Sequence, residues 1–361
     1  MKPVPNPGVL EIAPYAPGRA TVPGCAKPIK LSANENPLGC SERARAAYLA
    51  AASELHLYPD ANTSRLRAAI AEKYALEPER LVFGAGSDEI FAMVCQAYLG
   101  PGAAMVQPQY GFAAWAIAAR AAGAAVIDAP ECDYTVCADA LAAAVHARTK
   151  IVFVANPANP TGTMVPFSDI KQLHAALPAH VLLVLDGAYA ECAHRMVGYE
   201  DGLAWAGDKS NVIVTRTFSK LYGLASLRIG WGYTSAEIAE TLNRIRLPFS
   251  VPRAGEAAAL AALADEAFLA RSVARVREGR AHLAQLLRGY GLPVLEPAAN
   301  FVTACFAGRA LSAAEVEAAL AERGVLVRGL KNYGMPDWLR ISIGAEHEQA
   351  ALEAALAGVL R

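Results

Sequence analysis

Residues 150–189, KIVFVANPANPTGTMVPFSDIKQLHAALPAHVLLVLDGAY, contain two strongly apolar runs on either side of a helical segment. The runs at 150–157 and 180–189 do not alternate between apolar and polar residues, as a strand with one solvent-exposed face would. Both faces of each strand are therefore expected to be buried. A helix over about 166–177 connects them. Strand, helix and strand in this order predict two parallel strands joined by a crossover helix.

The same alternation continues along most of the chain. Strands are predicted at 81–86, 103–108, 124–130 and 211–219, and helices at 41–55, 62–76, 87–100, 110–123, 139–149 and from 235 to about 247. This pattern predicts an α/β fold whose large domain has a mostly parallel central sheet covered by helices. Ligand-binding groups in such sheets gather at the carboxyl ends of the strands.

The remainder of the chain predicts a smaller α+β domain. Helices after Pro252 precede apolar segments at 291–307, 324–329 and 338–344, with a helix near 311–323 and another at the C-terminus. Residues 1–30 contain seven prolines and predict an extended arm. We therefore expect three segments, namely an arm over 1–30 that joins the small domain, a large domain over 31–245 and a small domain over 246–361.

The composition argues against several classes of protein. Lys and Arg number 33 against 34 Asp and Glu, so nothing favours a nucleic acid or an anionic membrane as a partner. Seven cysteines without a C-x-x-C pair and seven histidines without ligand spacing predict neither a disulfide framework nor a metal site. No window resembles a membrane span or a secretory signal, so the sequence predicts a soluble cytoplasmic protein.

Four motifs directly follow apolar strands, namely GAGSDE at 84–89, NPANPTG at 156–162, LDGAY at 185–189 and TFSK at 217–220. Glycines and a helix start attract anions, and an acid at a strand end is either a cap or the partner of a cation. The lysine of TFSK is either a surface residue or a desolvated amine suited to Schiff-base chemistry. Together the motifs predict one pocket for an anion, a protonated ring nitrogen and a reactive lysine.

The motifs N-P-T-G, D-x-x-Y and S-K, with an arginine eight residues after the lysine, resemble those of fold-type I pyridoxal-phosphate (PLP) aminotransferases of class I/II. The resemblance extends from SANENP at 32–37 to LRISIG at 339–344 and is strongest to the histidinol-phosphate aminotransferase branch. It implies PLP as cofactor and a small-molecule amino donor and a 2-oxo acid as substrates.

The resemblance also implies roles around the cofactor ring. Lys220 would bind the cofactor covalently and move the proton during transamination. Asp186 would pair with the pyridine nitrogen, and Asn159 and Tyr189 would bind the phenolic oxygen. Tyr110 would stack on the ring face, unless it is a half-buried core tyrosine.

The cofactor phosphate is expected in a second group of residues, where the fork of an arginine suits a phosphate better than a lysine would. The resemblance implies binding by Ala85, Gly86, Ser87, Thr217, Ser219 and Arg228. In relatives a tyrosine of a Y-P dipeptide reaches the phosphate from the other subunit. Tyr58, followed by Pro59, matches it and implies a homodimer with shared active sites, although a loop aromatic is the alternative.

Substrate selection is expected from the small domain and the arm. The resemblance implies that Arg340 and Arg328 bind an acidic group of the substrate together with Tyr15, and that Asn34 and Asn36 line the same entrance. Two arginines and a tyrosine around one anion favour a phosphate dianion over a carboxylate. The alternative is that Arg328 lies on the surface and that Tyr15 merely packs the arm.

Two positions depart from the pattern of relatives. Gly187 occupies the place of a glutamate in D-E-A-Y, and Ala158 that of an asparagine, while Asp186, Tyr189 and Asn159 are retained. Cofactor binding should therefore persist, whereas fine substrate preference is open.

The sequence thus predicts an aminotransferase that moves an amino group between L-histidinol phosphate and 2-oxoglutarate. An aromatic amino acid aminotransferase is the nearest alternative, followed by a decarboxylase of a phosphorylated amino acid. A non-catalytic PLP-binding regulator is a further alternative, although no DNA-binding segment precedes the domain.

Overall fold

The computed structural model describes residues 2–6, 8–15, 17–22, 25 and 27–360. Its strands are β1 (Ile29–Lys30), β2 (Leu81–Ala85), β3 (Ala104–Pro108), β4 (Ala125–Ala129), β5 (Thr149–Ala155), β6 (Leu182–Asp186), β7 (Val212–Thr217), β8 (Ile229–Thr234), β9 (Phe301–Cys305), β10 (Val325–Leu326), β11 (Arg328–Leu330) and β12 (Met335–Ser342). Its helices are α1 (Glu42–Ala51), α2 (Ser64–Tyr74), α3 (Ser87–Tyr98), α4 (Ala113–Ala121), α5 (Ala138–Ala144), α6 (Phe167–Ala176), α7 (Ala190–Ala193), α8 (Leu203–Gly207), α9 (Ala236–Ile245), α10 (Arg253–Ala264), α11 (Glu266–Gly289), α12 (Ala313–Glu322) and α13 (Glu346–Val359).

A seven-stranded sheet in the order β2-β8-β7-β6-β5-β3-β4 forms the centre of the large unit. The pairs β3–β4, β3–β5, β5–β6 and β6–β7 are parallel, whereas β8 is antiparallel to both of its neighbours. The predicted α/β fold with a mostly parallel central sheet is therefore confirmed. Parallel strands place their carboxyl ends at one edge of the sheet, and the loops that carry the four motifs meet there.

Both faces of this sheet are buried, as the continuous apolar strands predict. In β5, Val152 and Val154 belong to one core cluster, while Ile151 and Phe153 belong to the cluster on the opposite face. Helices α2, α6 and α10 cover the first face, and α3, α4 and α9 cover the second. Side chains that alternate between two buried faces explain why no polar residue interrupts these strands.

A smaller unit contains the antiparallel sheet β11-β12-β9 and its own apolar core. That core includes Leu283 of α11, Val316 of α12, Leu352 of α13 and Leu31 from the N-terminal segment. Strand β1 pairs in parallel with β10, which attaches the N-terminal segment to this unit. Since buried residues of α10 pack in the core of the large sheet, we propose that the division between the units lies within α11 rather than at 245.

Strand β8, which lies antiparallel between β2 and β7, was not predicted from the sequence. Its sequence IGWGYT contains two glycines, which are poor strand formers and suggest a loop. At Gly230 a Cβ atom would lie 2.2 Å from the Ser87 backbone nitrogen. The glycine therefore permits β8 to approach the start of α3, a requirement that strand propensity does not reveal.

Other differences concern element boundaries. The helix predicted over 87–100 is α3, which begins at Ser87 with Gly86 as its N-cap and ends at Tyr98. The strand predicted over 324–329 is divided into β10 and β11, which belong to different sheets. In the described part of the chain, no helix is both long and apolar enough to cross a membrane.

We predict that Gly230→Ala lowers the free energy of unfolding by about 2 kcal/mol, because the new methyl group must displace backbone atoms of Gly86 and Ser87. Urea unfolding measures the change. Gly100→Ala is the matched control, since no atom lies within 4 Å of a Cβ built there. Equal stability of the two variants would contradict the close approach of β8 and α3.

Candidate active site

A cavity of about 250 Å³ lies at the carboxyl edge of the large sheet. Ala155 at the end of β5, Asp186 at the end of β6 and Thr217 at the end of β7 all line it. Residues of the small unit close the other side, among them Arg328 and Arg340. The cavity is therefore built from both units of the chain.

The structure brings most of the predicted site residues together. The following line this cavity: Tyr15, Asn34, Ser87, Asn159, Asp186, Tyr189, Thr217, Ser219, Lys220, Arg228, Arg328 and Arg340. Five predicted residues do not line the cavity, namely Ala85, Gly86, Tyr110, Tyr58 and Asn36. The cavity is also lined by three residues that were not predicted from the sequence, namely Asp88, Phe112 and Tyr333.

Lys220 follows β7 and extends its amine toward the cavity. Its Nζ lies 5.5 Å from the centroid of the Tyr189 ring, and no described residue accepts a hydrogen bond from it. Removal from bulk water is the largest cause that lowers the pKa of Lys220, and the positive charge of Arg340 adds to it. A lowered pKa leaves more of the amine unprotonated near neutral pH, which makes it a better nucleophile and base.

Asp186 is a buried carboxylate, with 6% of the residue exposed. Its Oδ1 accepts hydrogen bonds from the Ala188 backbone at 3.0 Å and from the Thr215 hydroxyl at 3.4 Å. Burial raises the pKa of Asp186 to about 7, although these bonds and Lys220 act in the opposite direction. Burial disfavours the ionised form of Asp186, so a protonated nitrogen in the cavity would stabilise that form strongly.

An anion cradle forms where β2 meets α3 and where β7 ends. Arg228 Nη1 donates to the Ser219 hydroxyl at 3.3 Å, and Thr217 Oγ1 donates to the same hydroxyl at 2.9 Å. Arg228 Nη2 also pairs with Asp88 at 3.0 Å. Gly86 has a φ of 81°, and a Cβ there would lie 2.3 Å from Arg228, so a glycine is required at this position.

One predicted donor of the cradle is already engaged. The Ala85 backbone N–H donates to the carboxylate of Glu89, so it is not available to an anion, contrary to expectation. The remaining free N–H groups are those at the start of α3, which lack intrahelical partners as at any helix N-terminus.

Arg340 and Arg328 face each other across β11 and β12, where they are register partners. Arg340 Nη1 donates to Asn159 Oδ1 at 2.5 Å and Nη2 donates to the Ser32 carbonyl at 3.0 Å. Its Nε has no hydrogen-bond partner in the described structure, and no carboxylate there forms an ion pair with it. Burial lowers the pKa of Arg340, so an anion in this corner would relieve an uncompensated charge.

Asn34 was expected only to line the entrance, but it also holds Tyr189. With a φ of 56° and 2% exposure, Asn34 donates from Nδ2 to the Tyr189 hydroxyl at 3.0 Å. Ser342 fixes Asn34 in turn, since its hydroxyl accepts from the Asn34 backbone at 2.8 Å. Asn36 lies outside the cavity wall and donates instead to the Leu221 carbonyl at 2.7 Å.

Two aromatic residues of the predicted site lie outside the cavity of the single chain. The ring of Tyr110 stacks on Tyr134 with 5.3 Å between centroids, while Phe112 lines the cavity. Phe112 belongs to the same Y-G-F segment and directly precedes α4. Its position at the start of a helix is the feature of the sequence that could have identified it as a cavity residue. Tyr58 is 78% exposed and stacks on Phe249 with 4.6 Å between centroids, outside the cavity of its own chain.

We predict that Asp186→Asn stabilises the cofactor-free protein at about pH 8 but not at about pH 4. The folded pKa of about 7 lies above the usual value of 3.8, so ionisation opposes folding and stability falls as pH rises between these values. The difference should reach at most about 4 kcal/mol, since each unit of pKa corresponds to roughly 1.4 kcal/mol.

Urea unfolding at both pH values provides the measurement. Asp208→Asn, at an exposed position, reports the general effect of removing one carboxylate. A pH-independent difference between wild type and Asp186→Asn would show that Asp186 is not buried as an ionised group.

Comparison with known proteins agrees with this geometry. The family model "Aminotransferase class I and II" matches residues 26–359. Histidinol-phosphate aminotransferase 1 of Caulobacter vibrioides is 51% identical over 351 residues, which cover 97% of each chain. Histidinol-phosphate aminotransferase of Maricaulis maris is 45% identical and covers 99% of each chain.

A solved structure shows the same fold. The crystal structure of histidinol-phosphate aminotransferase from Sinorhizobium meliloti in complex with pyridoxal-5'-phosphate superposes with a TM-score of 0.85 and 30% identity. The match covers 93% of this chain and 91% of that one. The resemblance predicted from the motifs is confirmed, and the chain belongs to the aminotransferase class I and II family.

Proposed function

We propose that the protein is a PLP-dependent aminotransferase that transfers an amino group between L-histidinol phosphate and 2-oxoglutarate. The observation that carries this proposal is the buried pair Arg328 and Arg340, which lines the same cavity as Lys220. The names of relatives with 45% to 51% identity over nearly the whole chain support the same substrate.

The residues present fit PLP. The cofactor phosphate suits the cradle of Arg228, Ser219 and Ser87 beside the start of α3, where guanidinium and hydroxyl donors meet. The dry carboxylate of Asp186 suits a protonated pyridine nitrogen. When bound, PLP supplies an electron sink for the carbanion that forms at the substrate carbon.

Each side chain around the cofactor then has a separate role in catalysis. Lys220 Nζ, with its lowered pKa, takes and returns the proton at the substrate carbon. Asp186 keeps the ring nitrogen protonated through a charge-assisted hydrogen bond. The oxygen of Asn159 is held by Arg340, which leaves its amide nitrogen as a donor to the cofactor. Asn34 orients the Tyr189 hydroxyl, whose pKa burial raises to about 12, so it remains a neutral phenol.

Arg328 and Arg340 select the substrate. Arg340 lines the cavity without a carboxylate partner in the described structure, and Arg328 is its register partner on the neighbouring strand. Tyr15, which is half exposed, lies on the same cavity wall. Two guanidinium groups match a phosphate dianion better than a single carboxylate, which favours histidinol phosphate over an aromatic amino acid.

We predict that Arg328→Ala raises the KM for histidinol phosphate by roughly 10-fold or more, since a hydrogen bond to a charged group contributes about 1.5–3 kcal/mol. The KM for histidinol, which lacks the phosphate, should change little. Steady-state rates with both donors give the comparison. Arg323→Ala, an exposed arginine of the same unit, is the control.

The substrate proposal fails if wild-type enzyme transaminates phenylalanine or tyrosine efficiently and histidinol phosphate negligibly. It also fails if Arg328→Ala affects both histidinol and its phosphate equally, because the arginine would then not contact the phosphate.

We further propose a homodimer in which Tyr58 contributes to the active site of the partner subunit. Tyr58 stacks on Phe249 and both rings are exposed, as are Leu55 and Leu247 close to them in the sequence. Large side chains exposed together in this way are typical of a surface that a protein partner covers. The same interpretation explains why Tyr58 lies outside the cavity of its own chain.

We predict that Tyr58→Phe weakens PLP binding about 10-fold without dissociating the dimer, because it removes one hydroxyl that donates to the phosphate. Absorption titration with PLP measures the affinity and light scattering the mass. Tyr48→Phe changes another exposed tyrosine and should leave both unchanged. A monomer in solution, or unchanged PLP affinity, would contradict the shared site.

A further inference from the structure

Tyr333 lines the catalytic cavity from the small unit. It is the last residue of a single 3₁₀ turn, Lys331–Tyr333, that connects β11 to β12. Gly334, with a φ of 76°, follows this turn and leads the chain into β12. Arg328 and Arg340, which are register partners on the two strands, therefore belong to the same short hairpin as Tyr333.

Apolar packing fixes the ring of Tyr333. The residue is 8% exposed and belongs to a core cluster with Leu330, Met335 and Trp338. Leu330 and Met335 are themselves paired across β11 and β12. Because the ring is held by the strands that also carry the two cavity arginines, its hydroxyl has a defined position relative to them.

The Tyr333 hydroxyl is available to a ligand. No residue in the described part of the chain forms a hydrogen bond with it, and it is not sealed from solvent, so it faces the cavity that the residue lines. Burial raises the pKa of Tyr333 to about 12, while the charges of Arg340 and Arg328 act in the opposite direction. The hydroxyl is therefore a neutral donor close to two cations near pH 7.

The charges on this side of the cavity favour an anion. Arg328 and Arg340 are the cations that act on the Tyr333 hydroxyl, and both line the cavity with it. The carboxylates that line the same cavity, Asp88 and Asp186, belong to the large unit, where Asp88 is paired within the anion cradle and Asp186 ends β6. An anionic group of a ligand is therefore the partner that suits both the hydroxyl and the arginines.

The number of donors suits a phosphate. A phosphate monoester presents three terminal oxygens as acceptors, whereas a carboxylate presents two. We propose that the Tyr333 hydroxyl donates a hydrogen bond to the phosphate of the amino donor, beside Arg328 and Arg340, and that it strengthens the preference for phosphorylated donors. This inference rests on the proposed function, to which it adds a specificity-determining residue.

The half-reaction of PLP-loaded enzyme with histidinol phosphate or with histidinol, followed by the absorption of the cofactor, tests the proposal. In Tyr333→Phe the preference for histidinol phosphate, taken as the ratio of the two second-order rate constants, should fall about 10-fold or more, because one hydrogen bond to a charged group is lost while the ring remains. Tyr290→Phe, which removes a hydroxyl of the same unit outside the cavity, should keep the wild-type ratio.

Inorganic phosphate gives a second readout that does not depend on turnover. In PLP-loaded enzyme the cofactor occupies the anion cradle, so calorimetric titration reports the remaining anion site. Phosphate should bind wild type and Tyr290→Phe equally, and Tyr333→Phe about 10-fold more weakly.

A wild-type preference ratio in Tyr333→Phe, or equal affinity of wild type and Tyr333→Phe for phosphate, would overturn the role of Tyr333. A wild-type enzyme that does not prefer histidinol phosphate to histidinol would instead contradict the proposed function, and the phosphate titration would then decide whether the hydroxyl binds an anion. Because Phe retains the ring, a folded variant is expected, and its urea unfolding curve verifies this.

Discussion

A single buried guanidinium, that of Arg340, holds three distant parts of the chain around the catalytic cavity. It donates to Asn159 after β5 and to the Ser32 carbonyl of the N-terminal segment, and it lies 5.3 Å from the centroid of the Phe301 ring in β9. Buried cations are unfavourable unless they are paired, and no carboxylate in the described structure pairs with this one. Its position is explained if an anionic substrate group completes the site.

The remaining groups are arranged by the parallel sheet. Because β5, β6 and β7 run side by side, Asp186 and Lys220 reach the cavity from adjacent strand ends although they are well separated along the chain. Burial then acts in opposite directions, raising the pKa of Asp186 and lowering that of Lys220. Both pKa values thereby move toward the neutral range, which helps the Lys220 amine to exchange a proton and favours a protonated nitrogen as the partner of Asp186.

The sequence contained enough information for the large sheet and for the groups at its carboxyl edge. Continuous apolar strands indicated burial on both faces, and the motifs after them carry Asn159, Asp186 and Lys220, all of which line the cavity. Contacts that depend on tertiary packing were not predictable. Asn34 meets Tyr189 across 155 positions, and no local pattern marks that pair.

Tertiary packing also explains why β8 and the aromatic residue of the cavity were not predicted. The glycines of β8 locally indicate a loop, whereas packing against α3 requires them. Tyr110 stacks on Tyr134 from a separate loop, and Phe112 rather than Tyr110 lines the cavity. These residues became recognisable only once the loops at the sheet edge were assembled.

The most direct test of the central claim is the half-reaction without any 2-oxo acid. PLP-loaded enzyme mixed with L-histidinol phosphate should convert its cofactor to the aminated form, one equivalent per chain, with release of the corresponding carbonyl product. Subsequent 2-oxoglutarate should restore the original absorption spectrum, and Lys220→Ala should abolish the conversion. Loss of CO₂ from a carboxylated donor without transfer of its amino group, or no spectral change with histidinol phosphate, would contradict an aminotransferase that acts on a phosphorylated amine.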